Sequence, residues 1–150
     1  MHVTVAGWLL GPPSGANRRL LGLLGELGPL LGRGERVTVL HRWDYEPPSL
    51  PGIGWKALSI PAGPTFARVR GERHRLPSAL RELGATVHDH GFLPLPRLHV
   101  PTCLVVHDLR GPDGLARFPR WIARSVLRSA CARAAVVVAP SEWTAARLRS

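Results

Sequence analysis

Lysine is nearly missing from this chain. Of its 20 Lys and Arg side chains, only Lys56 is a lysine, so the positive charge is carried almost wholly by guanidinium groups. Cysteine is as scarce. Cys103 and Cys131 are the only two, too far apart for a CxxC pair, which excludes a disulfide scaffold and a Cys-ligated zinc site and suits a reducing cytoplasm. Long apolar runs are also lacking. The run from Met1 to Leu10 has no basic stretch ahead of it, as a signal peptide requires. The Leu-rich stretch from Leu20 to Leu31 is broken by Glu26 and Pro29, and falls short of the ~20 apolar residues of a membrane span. A cytoplasmic protein is expected, soluble or peripheral on a membrane. No repeat period is present, and neither GxGxxG nor GxxxxGK[ST] occurs, so the two best-known phosphate loops are excluded.

What remains is 150 residues of ordinary apolar content, enough for one compact domain. Acidic residues number 10, which leaves a formal charge of +10. The excess is uneven: residues 1–109 hold twelve basic and eight acidic side chains, and residues 110–150 hold eight Arg against Asp113 and Glu142. Arg117, Arg120, Arg124 and Arg128 lie three or four apart and form one stripe on a helix expected to bury Trp121 and Ile122. Such a face suits a nucleotide, a nucleic acid or an anionic membrane, or is simply solvated. Nucleic acid is the weakest of these, since few aromatics interleave the basic residues and no recognition motif is present.

Along the chain, strands alternate with helices. His2 to Leu10 opens with β-branched residues and runs into a Gly/Pro loop, and the leucines from 20 to 31 recur at helical spacing. Gly22 and Gly25 interrupt that helix, three apart, as close packing against a sheet would favour. Pro29 should kink or end it. Strands are expected at 36–42, 55–60, 85–88, 102–106 and 134–139, and helices at 71–83, 119–133 and from Ser141 onward. The wholly apolar run at 134–139 reads as a strand buried on both faces of a parallel sheet. The pattern predicts a Rossmann-like, doubly wound α/β domain over residues 1–150. The last helix has barely begun at Ser150, as expected of a piece of a longer protein.

Open α/β sheets bind ligands at the carboxyl ends of their strands. Four segments fall there. Gly15, Ala16, Asn17 and Arg18 combine a loop, a helix N-terminus and guanidinium charge, which suits a diphosphate or is a capped turn. His88 and His90 project to one side of a strand and Asp89 to the other; without further ligand spacing they read as polar cleft residues, and no metal site is expected. His107 and Asp108 end a buried strand, where an imidazole suits sugar hydroxyls, a transient proton or a strand cap. Ser141 and Glu142 cap and open the last helix.

Taken in order, Ala85 to Pro96 with its His88-Asp89-His90-Gly91-Phe92 core, Val100 to Leu109 with His107-Asp108, and Ala134 to Thr144 with Ser141-Glu142 resemble the N-terminal domain of a family 4, GT-B-fold glycosyltransferase. The first loop fits too, although Gly15-Ala16 stands where the family usually pairs two glycines. The resemblance implies hexosyl transfer from a nucleotide sugar as co-substrate, with retention and without a metal or other cofactor. It gives His107 a catalytic place beside the transferred sugar, and gives substrate contact to Gly15, Ala16, Asn17, Arg18, His88, His90, Asp108, Ser141 and Glu142. The partners it implies are a sugar or lipid-linked acceptor and a C-terminal donor-binding domain, in cis or as a separate chain. This domain alone would then be inactive. The alternative is a non-catalytic basic module docking on an anionic membrane or other polyanion through the four arginines.

Overall fold

Six short strands, mostly β-branched or apolar, pair side by side and all in parallel. The computed structural model describes residues 1–11, 14–61, 63–107 and 119–149, with the backbone alone at 16 and 120. The strands are β1 (His2–Ala6), β2 (Arg36–Arg42), β3 (Ile53–Leu58), β4 (Val87–His90), β5 (Thr102–Val105) and β6 (Val136–Val138). The helices are α1 (Gly15–Leu27), α2 (Thr65–Leu83), α3 (Arg120–Arg133) and α4 (Glu142–Arg149). In the sheet the order is β3-β2-β1-β4-β5-β6. The chain winds outward from β1 to β3, crosses back to β4 and winds outward again to β6. This is the Rossmann-like α/β arrangement anticipated from the sequence, and its direction reverses between β1 and β4.

Side-chain alternation sorts the core into two faces. Val5, Val37 and Val39 pack with Leu24 and the other leucines of α1, whereas Ala6 and Leu40 pack with Leu76 and Leu80 of α2. A third cluster joins Leu104 and Val106 to Leu127, Ala130 and Cys131 of α3 and to Leu148 of α4.

The helix ends follow local chemistry. Ser14 caps α1, its hydroxyl accepting from the Asn17 amide at 3.1 Å. Pro29 ends α1 as expected, the chain tightening into a single 3-10 turn over Gly28–Leu30. α2 stops at Gly84, which takes the left-handed conformation (φ 62°) and donates back to Arg81 and Leu80. Its start lies six residues before the one expected, because Phe66 in its first turn points to solvent and gives no buried-face signal.

Three expectations are corrected. A Cβ on Gly22 or Gly25 would meet nothing within 4 Å, so these glycines mark no close contact. The close contact is at Gly28, where a Cβ would collide with the Pro51 carbonyl oxygen; Gly52 (φ 75°) lies against the same backbone. Strand β6 is not buried on both faces: Val136, Val137 and Val138 are all exposed, because β6 ends the sheet order and the run is too short to reach the core. On α3, Trp121 is 70 % exposed and Ile122 only half-buried, while Leu127, Ala130 and Cys131 carry the packing. The second half of α3 seats the helix, and Trp121 in its first turn faces solvent.

Candidate functional site

The winding reverses between β1 and β4, and it is at the carboxyl ends of strands beside such a reversal that an α/β sheet receives ligands. The loop leaving β1 is fixed at its base. Gly7 donates to the Leu40 carbonyl at 2.8 Å, and a Cβ there would meet Leu10 and Val39 at 2.8 Å, so only glycine lets the chain turn across β2. Trp8 and Leu10 are then driven into opposite core clusters. The Asn17 side chain donates to the Leu9 carbonyl at 2.8 Å, tying the first turn of α1 to this loop. Gly15 and Arg18 are exposed, and a Cβ on Gly15 would meet nothing within 4 Å. The loop therefore combines an anchored base with an open rim of helix N–H groups and a guanidinium.

Strand β4 carries the two histidines, and both face inward rather than lining an open cleft. His88 and His90 are completely buried. The cause is the parity of β1: Thr4 pairs in register with His88, on the face covered by α2. The hydrogen bonds form a chain. The Thr4 hydroxyl donates to the Val87 carbonyl at 3.2 Å, so His88 Nδ1, 3.0 Å away, donates to Thr4 Oγ1. His88 Nε2 is left as an acceptor for the Nδ1–H of His90 at 3.2 Å. The bare Nε2 of His90 faces Oε1 of Glu72 at 4.0 Å, just beyond hydrogen-bond reach. Burial lowers His88 to about 4, and burial, with repulsion from Arg68 and from any proton on His88, lowers His90 well below its ordinary value. Both rings are neutral at pH 7.

Beneath them lies a buried ion pair that the sequence did not single out. Arg68 donates to Glu72 Oε1 at 2.7 Å, with both side chains almost wholly enclosed. A second Arg68 nitrogen donates to the Leu93 carbonyl at 2.7 Å, and the guanidinium lies 5.1 Å over the Phe92 ring. Arg68 thereby clamps the loop that follows β4. Burial pushes the Glu72 carboxyl up, while Arg68 and the nearby Trp8 indole pull it down; the indole approaches without closing a full hydrogen bond. An Arg–Glu pair at i, i+4 in an Arg-rich helix looks like a solvated surface pair, which is why its role was hidden.

His107 is exposed just past β5, and its ring packs over Gly91: a Cβ at Gly91 would touch Nε2 at 3.5 Å. The clamp on Phe92 and Leu93 and the floor under His107 are thus adjacent residues. Val105 pairs with Val138, which brings the end of β5 level with the start of α4. There Ser141 caps α4, its Oγ accepting from the Thr144 amide at 3.2 Å, and Glu142 is exposed in the first turn. The first loop, Gly91, His107 and Ser141-Glu142 share one rim of the sheet. Asp108 and Arg117, with the side chains of Ala16 and Arg120, lie outside the described residues. Arg124 and Arg128 are exposed on α3.

The rim also carries exposed aromatics. Trp43 follows β2, while Phe66, Trp121 and Trp143 stand in the first turns of α2, α3 and α4. Among the described residues, no three His, Cys, Asp or Glu side chains converge as a metal site requires, and no helix is long and apolar enough to cross a membrane.

No curated protein sequence matches the chain. A family model does: Glycosyltransferase Family 4 matches residues 13–150, from the first loop through the last helix. The match takes in every element from α1 onward, including the loop after β4, His107 and the Ser141 cap. This chain belongs to glycosyltransferase family 4.

Proposed function

We propose that this domain forms the acceptor-side wall of a nucleotide-sugar-dependent hexosyltransferase, with His107 as its catalytic contact to the transferred sugar. The observation that carries the reading is the exposed imidazole of His107 seated over Gly91 at the ligand-binding rim. An imidazole there is able to donate to and accept from sugar hydroxyls and to carry a proton in transit. The rim of Gly15 to Arg18 meets a diphosphate through helix N–H groups and guanidinium charge. Asp108, Ser141 and Glu142 complete the substrate contacts, and the buried His88 and His90 support them from below. Transfer proceeds with retention through hydrogen bonding and charge stabilisation, without a metal. The nucleotide is held mainly by a donor-binding domain, in cis or as a second chain, so this domain alone is inactive.

Isothermal titration of the chain with UDP-glucose and GDP-mannose tests the division of roles. Binding weaker than about millimolar is expected, and micromolar binding by this domain alone would overturn it. In the assembled enzyme, His107→Ala should lower kcat/KM by roughly 10²-fold or more, as loss of a positioned acid–base group does.

A second reading is favoured by the exposed first turn of α3. Trp121, Arg124 and Arg128 share one helical face, an aromatic anchor beside two cations, as in helices that lie at a membrane surface. Arg124→Glu with Arg128→Glu should abolish co-sedimentation with vesicles rich in phosphatidylserine. Binding indifferent to anionic lipid would sink this reading.

A further inference from the structure

At the carboxyl ends of β2 and β3, Arg42, Trp43, Asp44, Ile60, Pro61 and Gly63 line an open cavity of about 290 Å³. That space is large enough to admit a single sugar ring. Trp43 is 74 % exposed, so its indole contributes little to the core, yet it forms a wall of the cavity. Beside it, Arg42 Nε donates to Asp44 Oδ1 at 2.8 Å, and the two side chains remain 20 % and 46 % exposed. The pair lines the same cavity as the indole, a guanidinium donor beside a carboxylate acceptor. Arg42 also reaches toward the first loop: its Nη2 lies 3.9 Å from where a Cβ on Gly11 would stand, at a backbone φ of 130° that favours glycine. The cavity therefore adjoins the loop that leads into Gly15 and Arg18.

We propose that this cavity is a saccharide subsite in which a pyranose ring stacks on Trp43 and its hydroxyls exchange hydrogen bonds with the Arg42–Asp44 pair. It rests on the reading above and narrows it, giving the acceptor a neutral sugar at this position. An indole face takes the C–H face of a ring, while hydroxyls both donate to a carboxylate and accept from a guanidinium. Paired with each other, Arg42 and Asp44 leave the space without net charge, which suits a neutral sugar better than a phosphate.

The test is a titration of the ¹⁵N-labelled chain followed at the tryptophan indole N–H signals, with Trp43 assigned from its loss in Trp43→Ala. The probes are methyl α-D-glucopyranoside, methyl α-D-mannopyranoside and, as a contrast, UMP. A saturable shift of Trp43 with at least one glycoside is expected, with the comparably exposed Trp121 unmoved. Asp44→Asn should weaken that response roughly tenfold or more, the loss of one charge-assisted hydrogen bond. A Trp43 shift with UMP in place of the glycosides, or an equal shift at Trp121, would overturn the subsite. A glycoside response at the His107 ring without one at Trp43 would also overturn it and leave the transfer reading standing. Silence at both would count against both.

Discussion

Thr4 decides how two histidines hold their protons. Its hydroxyl is committed to the Val87 carbonyl, so His88 and then His90 donate in sequence toward it, and burial opposes a second proton on either ring. The consequence is a pH dependence of folding with a definite sign. In the unfolded chain His88 titrates near 6.5, and in the folded chain at about 4. The unfolded state binds more protons between those values, so this contribution is full above about pH 6.5 and is lost as pH falls toward 4. Two and a half units at 1.36 kcal/mol each make roughly 3 kcal/mol. His90 acts in the same direction, whereas Glu72, raised by burial, acts oppositely: its contribution falls as pH rises between its ordinary and raised values. Urea unfolding at pH 7, 6, 5 and 4.5 should show stability dropping with acid, and His88→Asn should flatten the drop. An unchanged slope in the variant would mean that another group carries it.

Among the elements, the glycines separate tolerated positions from constrained ones. Gly22→Ala and Gly25→Ala place a methyl into open space on α1 and remove the helix-interior cost of glycine, so each should stabilise the fold by about 0.5–1 kcal/mol. Gly28→Ala drives a methyl into the Pro51 carbonyl and should destabilise it by roughly 1–3 kcal/mol. Melting temperatures of the three single variants should therefore split in sign. Ser141→Ala removes the cap of α4, and faster amide exchange at Thr144 and Ala145 is expected, at a cost of about 1 kcal/mol. The alternation of strand and helix, the stop at Gly84 and the Ser141 cap were legible in the sequence because each rests on local chemistry. Which glycine made a backbone contact was not, because Pro51 is distant in sequence from Gly28. The inward turn of His88 and His90 was hidden likewise: it depends on which face α2 covers. The candidate site was legible where a polar residue ends an apolar strand, as at His107. Arg68 and Glu72 were not, because burial alone separates them from a surface ion pair.

At the scale of the whole molecule, burial separates the tryptophans. Trp8 is buried against α2, while Trp43 after β2 and Trp121 and Trp143 in the first turns of α3 and α4 stand exposed at the carboxyl rim. The half-buried Trp55 sits in β3, near His41 and Tyr45. This partition gives the protein an optical polarity. Three of its five indoles report on the end that meets ligands, and they should emit at long wavelength and be quenched readily by iodide, an anion that the surrounding arginines concentrate. Trp8 should remain as a blue-shifted, quencher-resistant remainder. Whatever covers the rim, sugar, membrane or a second domain, will therefore announce itself in the natural fluorescence of the chain, with no label added.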